Sequence, residues 1–172
     1  MPTLYIFSGL PGTGKSTLAK LVAQHYRALY LRIDTIEQGL RDLCSLVIQS
    51  EGYRLSYRIA GDNLRLGLNV VADSCNPIEL TRREWEEVAR EAEADFRNIE
   101  VICSDAAEHR VRIETRRTEP PELLGLKLPT WDEVENREYH PWIVDRIIVD
   151  TAGRSVSESA NELLAQLEEA RK

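Results

Sequence analysis

Gly9-Leu10-Pro11-Gly12-Thr13-Gly14-Lys15-Ser16-Thr17 stands between an apolar run, Leu4–Phe7, and a stretch of helical period, Ser16–Tyr26. The spacing fits G-x-x-x-x-G-K-[ST], a loop built to hold phosphate. Glycines let backbone N–H groups converge on one small volume without a Cβ in the way, and the helix behind adds its positive end. In this pattern the lysine, Lys15, reaches the β- and γ-phosphates of a nucleotide, and the hydroxyl of Ser16 holds Mg²⁺. The apolar strand before the loop and the amphipathic helix after it supply the context that a chance glycine-rich turn lacks. ATP and Mg²⁺ are therefore the expected cofactors, with residues 9–17 as their cradle.

Outward from the loop, four more short apolar runs read as buried strands: Tyr30–Ile33, Leu68–Ala72, Glu100–Cys103 and Arg146–Val149. Helical periodicity fills the gaps, over Arg54–Arg65, from a capping box at Thr81…Glu84 to about Phe96, and over Ser157–Arg171. Thr130…Glu133 is a second capping box and opens a short helix expected to pack near a lid. Strands that alternate with helices predict an α/β fold, a parallel sheet covered on both faces. The length predicts one domain over residues 1–172, with the turn-forming cluster Thr118–Glu122 as a loop inside it.

Charge and composition narrow the class. The net charge is −7, whereas a dedicated nucleic-acid binder usually carries a basic footprint. No basic region with an apolar run and cleavage site opens the chain, and no apolar stretch approaches a membrane span, so neither a secretion signal nor a membrane contact is expected. Cys44, Cys75 and Cys103 show no C-x-x-C spacing and are read as reduced thiols of a cytoplasmic protein, without zinc or disulfides. His25, His109 and His140 have no metal-ligand spacing. Trp85, Trp131 and Trp142 are read as packing anchors rather than binding platforms.

Four strand candidates lead into an aspartate: Asp34, Asp73, Asp105 and Asp150. The carboxyl ends of parallel strands gather along one edge, where ligands bind. Asp105 is read as a helix cap. Asp73 is the expected partner of Ser16 at Mg²⁺, because the second metal element is usually an aspartate ending a strand beside the loop strand. The segment His109–Arg117 places Arg110, Arg112, Arg116 and Arg117 in one helical stretch, with Arg112 and Arg116 on one face. Guanidinium groups both stack on bases and fork onto phosphate oxygens.

These residues, in this order, resemble the P-loop small-molecule kinases, in particular the predicted-kinase group (AAA-type ATP-binding) near zeta-toxin-type and chloramphenicol phosphotransferase-like proteins. The resemblance runs over nearly the whole chain. It implies a three-layer α/β/α P-loop NTPase fold with a five-stranded parallel sheet ordered 2-3-1-4-5 and a small helical lid, at about residues 105–130. The segment Arg112–Arg117 also looks like the lid helix of adenylate kinases, which implies that Arg112 stacks on the base and Arg116 stabilises the transferring phosphoryl group. Asp34 matches the relatives' base, which takes the proton of the acceptor hydroxyl. The implied activity is transfer of the γ-phosphoryl group of ATP to a hydroxyl of a small molecule. Between Thr35 and Gly67 the match is loose, and Arg41, Tyr53, Arg54, Tyr57 and Arg58 form no legible acceptor pattern. A mobile lid is expected from Arg117 to about Leu128.

Other functions fit less well. Asp150-Thr-Ala-Gly153 imitates a GTP-switch element, but no N-K-x-D occurs in the chain. A motor or transporter ATPase usually needs more elements. A polynucleotide 5′-kinase is disfavoured by the acidic balance, though a short end-binding site needs little charge. A zeta-toxin-like sugar-nucleotide kinase and a non-catalytic nucleotide-binding module complete the alternatives, the last opposed by the intact Lys15, Ser16, Asp34 and paired arginines.

Overall fold

A computed structural model describes residues 1–118 and 125–170. Five strands, β1 (Thr3–Ser8), β2 (Leu29–Arg32), β3 (Val70–Asp73), β4 (Asp95–Ile102) and β5 (Ile147–Asp150), form one sheet in the order β2-β3-β1-β4-β5. Every pairing is parallel. This is the order that the resemblance implies, and it puts the loop strand β1 at the centre. The helices are α1 (Lys15–His25), α2 (Ile33–Cys44), α3 (Glu51–Arg65), α4 (Glu79–Glu91), α5 (Ala106–Thr118), α6 (Trp131–Glu135) and α7 (Val156–Glu169).

Side chains of β1 alternate between two cores. Tyr5 and Phe7 join Leu18, Val22, Leu163 and Leu167 under α1 and α7. Leu4 and Ile6 join Ala60, Leu64, Trp85 and Ala89 under α3 and α4. Each face of the sheet is thus covered by helices, as a parallel sheet requires. Trp85 is fully buried and meets the ring of Tyr57 edge-on at 4.6 Å, so the packing reading of this tryptophan holds. No helix among the described residues is long and apolar enough to cross a membrane.

Three local expectations need correction. β2 ends at Arg32, so Asp34 is not a strand terminus but lies in the first turn of α2. Ile33 remains in the apolar core, and its burial prolongs the strand-like pattern into the helix. The capping box at Thr81 does not form: α4 begins two residues earlier, and the Thr81 hydroxyl donates to the carbonyl of Ile78 at 2.9 Å. The same helix stops at Glu91 rather than near Phe96. Glu93 turns the chain with φ 50°, and β4 then pairs with β1 from Asp95 onward, placing Phe96 in the sheet. The boxes Thr130…Glu133 and Ser155…Glu158 are both present.

Candidate active site

The loop leaves β1 where the strand ends gather. Two of its glycines are required by close approach as well as by backbone angle. Gly9 has φ 137°, and a Cβ there would lie 2.2 Å from the carbonyl oxygen of Val101 on β4. Gly12 has φ 83°, and a Cβ would lie 2.5 Å from the δ-methyl of Ile113 on α5. The Thr13 hydroxyl turns inward and donates to the Leu10 carbonyl at 3.0 Å. Helix α1 then starts behind Gly14, which has no side chain to cap it, and no acidic residue stands in the first turn. Its N–H groups and dipole are left for an external anion.

Lys15 opens that helix and is 8 % exposed. Its ammonium donates to Asp73 Oδ1 at 3.1 Å, and Asp73, at the end of β3, is 2 % exposed. Parallel register places Asp73 beside Phe7 of β1 and Arg32 of β2. The Tyr30 hydroxyl donates to Asp73 Oδ2 at 2.7 Å, and the Ser16 hydroxyl bonds the same carboxylate. Burial opposes the charge on Asp73, but the Lys15 ammonium and the two hydroxyls more than offset it. The carboxyl is held below the ordinary range. Burial likewise opposes the charge on Lys15, yet the Asp73 carboxylate pushes its pKa up. A serine hydroxyl beside a buried carboxylate is a hard oxygen pair of the kind Mg²⁺ takes, together with phosphate oxygens and water. Among the described residues no group of three or more His, Cys, Asp and Glu side chains could hold a metal on its own.

The mouth of the loop opens into a cavity of about 660 Å³ walled by Gly14, Lys15, Ser16, Asp34, Arg116 and Arg137, among others. A second cavity, about 260 Å³, adjoins it and is lined by Thr17, Leu18, Arg112, Thr151, Val156 and Ser159. Leu10, Pro11, Gly12 and Thr17 also face the first cavity, whereas Gly9 and Thr13 serve the packing beneath it. Asp73 is buried behind Lys15. Asp34 extends from the first turn of α2 with its side chain 51 % exposed, 3.6 Å from the Arg32 guanidinium. It is not the N-cap, which is Arg32. Arg112 belongs to both cavities and is tied down: it donates to the Thr151 hydroxyl at 2.7 Å, the Thr151 carbonyl at 2.9 Å and Glu108 at 2.6 Å. Arg116, one turn later, lines the first cavity alone.

Several contributors have no motif behind them. The Thr151 hydroxyl lies 2.8 Å from the Thr13 carbonyl and 3.1 Å from that of Ile102, and so joins the loop, β4 and Arg112. His109 is buried, with Nε2 2.7 Å from the Pro11 carbonyl, and Trp131 meets its ring edge-on at 5.2 Å. Arg137 reaches the Cys75 thiol at 3.6 Å. Asp105 caps α5 by accepting from the N–H groups of Ala107 and Glu108, as expected. Arg41, Tyr53, Arg54, Tyr57 and Arg58 stay out of the cavity wall; Arg41 pairs with Glu37, and Tyr57 donates to Glu84. The expected lid lies in part outside the described residues, as does most of the cluster Thr118–Glu122, but Leu126–Pro129 line the first cavity.

The sequence profile of the AAA domain family matches residues 4–134. No curated protein sequence matches the chain. Solved structures share the fold. A gluconokinase from Sinorhizobium meliloti 1021 is 15% identical with a TM-score of 0.70, over 98% of this chain and 93% of that one. The Mycobacterium tuberculosis APS kinase CysC, in complex with AMPPNP and APS, is 22% identical with a TM-score of 0.64, over 97% and 98%. Chaetomium thermophilum Kti12, in complex with ADP-AlF3, is 19% identical with a TM-score of 0.67, over 97% and 98%.

The buried pair sets a stability test. Asp73→Asn leaves the Lys15 ammonium buried without its counter-charge and is expected to cost about 3–5 kcal/mol at neutral pH. Because the folded carboxyl has a lowered pKa, its contribution is complete above the unfolded value of about 3.9 and is lost as pH falls through the folded value. Urea unfolding in metal-free buffer should show a steeper acid limb in the wild type than in Asp73→Asn, which keeps only the part due to other carboxylates. Equal stabilities at pH 7 would remove the ion pair from the stability argument.

Proposed function

The chain belongs to the AAA domain family and shares its fold with solved kinases, and from this premise we propose that it is an ATP-dependent kinase acting on a hydroxyl of a small molecule. The observation that carries the reading is the buried Lys15–Asp73 pair at an uncapped helix start, opening into a cavity that also holds Asp34, Arg112 and Arg116.

Phosphoryl transfer needs in-line placement and compensation of negative charge more than covalent chemistry from the protein. The N–H groups at the start of α1 cradle the phosphates, and the ammonium of Lys15 turns from Asp73 to the β- and γ-oxygens. Mg²⁺, held by the Ser16 hydroxyl and by Asp73, supplies further charge compensation when bound. The order of the sheet supports the rest of the reading. The loop after β5 (with Thr151, and Arg112 fastened to it) lies at the base end, and Arg112 offers its guanidinium plane there. Arg116 faces the phosphoryl group in transit. At the β2–β3 end, Asp34 orients the acceptor hydroxyl and takes its proton as the acceptor oxygen bonds to the γ-phosphorus and the bond from that phosphorus to the leaving ADP oxygen breaks.

The direct test is ADP release across a panel of hydroxyl-bearing metabolites. Lys15→Ala should abolish every activity that the wild type shows, and normal turnover by this variant would end the kinase reading.

Asp34→Asn is expected to lower kcat by about 10²–10⁴-fold, the usual contribution of a general base. Its melting temperature should barely move, since the Asp34 side chain is half exposed, meets the Arg32 guanidinium only at 3.6 Å and does not cap α2. An early melt with normal kcat would assign Asp34 to structure.

The two arginines should separate kinetically. Arg112→Ala is expected to raise KM for ATP with kcat nearly unchanged, and Arg116→Ala to lower kcat, as for a contact made in the transition state. Small and identical effects would place both outside nucleotide binding and the transfer step.

A further inference from the structure

The cavity is strongly cationic for a protein of net charge −7, with Lys15, Lys20, Arg112, Arg116, Lys127 and Arg137 in its wall, and part of that charge is already committed. Lys15 is held by Asp73, Arg112 by Glu108, and Lys127 lies 3.8 Å from Glu133. Arg116 and Arg137 have no carboxylate within ion-pair distance among the described residues. In the reading above, Arg116 answers the nucleotide's phosphoryl oxygens. Arg137 stands elsewhere. It touches Cys75, just past β3, on the side of the loop where Asp34 follows β2 and away from the base end beyond β4 and β5.

The segment behind Arg137 is fastened to that side with unusual thoroughness. Arg82 on α4 is 3 % exposed and donates to four backbone carbonyls, those of Asn76 (2.9 Å), Pro77 (3.2 Å), His140 (2.9 Å) and Pro141 (3.3 Å). The rings of Tyr139 and Trp142 lie against it at 4.8 and 4.1 Å. His140 adds a backbone bond to the Pro77 carbonyl at 2.7 Å and accepts from the Glu79 N–H at 3.2 Å. A buried arginine thus stitches residues 139–142 to the loop 76–79, and Arg137 is delivered to the cavity wall from a rigid mount. The exposed Arg137 guanidinium matches a carboxylate or phosphate with paired N–H donors, on a backbone that is already fixed nearby.

We infer that the phosphoryl acceptor carries an anionic oxygen group, a carboxylate or a phosphate, which Arg137 seats at the β2–β3 end of the cavity. The inference rests on the kinase reading. It assigns Arg137 to recognition of the acceptor and Arg82 to positioning it.

Two titrations test it by ¹H–¹⁵N NMR, with the arginine Nε resonances as reporters. AMP-PNP with Mg²⁺ is first added to the wild type and to Arg137→Ala, and equal affinity is expected. No binding by the wild type removes the kinase reading, and the inference with it. Binding lost only in Arg137→Ala places this residue on the nucleotide and overturns the inference alone. Inorganic phosphate, acetate and glycerol are then added separately to the nucleotide-loaded protein, whose phosphate loop is already filled. At least one anion should bind the wild type well above glycerol, and which one does so distinguishes a phosphorylated from a carboxylated acceptor. Arg137→Ala should weaken that binding roughly tenfold or more, with partial recovery in Arg137→Lys. Anions that bind no better than glycerol, or that bind Arg137→Ala as well as the wild type, overturn the inference.

Discussion

An ammonium buried to the depth of Lys15 requires a counter-charge, and much of the architecture around the loop provides one. Asp73 can serve because β3 lies directly beside β1 and its last residue is in register with Phe7. A strand order that separated β3 from β1 would leave the two charges apart, each uncompensated in the interior. Tyr30 reaches the same carboxylate from β2, so two strands and the first turn of α1 meet at one pair of oxygens. The parallel sheet, the position of the loop strand at its centre and the polar group behind the cavity are consequences of the same arrangement.

Much of this was legible in the sequence, and the physical reason is local. Residues 9–17 announce themselves because phosphate binding needs particular backbone conformations within nine residues, and only glycine supplies them cheaply. Asp73 was legible because a buried strand ending in a carboxylate stands out against its apolar neighbours. Arg112 and Arg116 were legible through their spacing of four on a helix. Asp34 was found but misplaced: the burial of Ile33 in the core makes the strand pattern run past the point where the backbone turns helical. Thr81 misled for the opposite reason, since a residue that can cap a helix can equally sit inside one and bond back to a carbonyl.

Arg137, Arg82 and Thr151 were beyond reach because their partners are far away in the chain. Arg82 acts on carbonyls 5–6 residues before it and 58–59 after it, and carbonyls have no sequence signature. Thr151 meets Thr13 across 138 residues. Such contacts are set by how the carboxyl ends of the strands converge, and the order of the strands has to be known before they can be found. The tryptophans illustrate the intermediate case. Their packing character was foreseeable from size and polarity, whereas Trp142 as a plate for Arg82 and Arg146 depends on the fold of residues 139–146.

Thr151 carries one consequence of a mechanical kind. Its hydroxyl has a single proton, yet the carbonyls of Thr13 and Ile102 both lie within reach, and the oxygen also receives the Arg112 guanidinium. Donation can favour only one carbonyl at a time, so the phosphate loop and the end of β4 share one hydrogen. Helix α5 is bound to the same atom and, through His109 and Gly12, to the loop itself. The loop before α1, the end of β4 and the arginine-bearing helix are therefore geared together. These shared contacts offer a displacement of α5 a direct route to the loop backbone, one that needs no bound molecule.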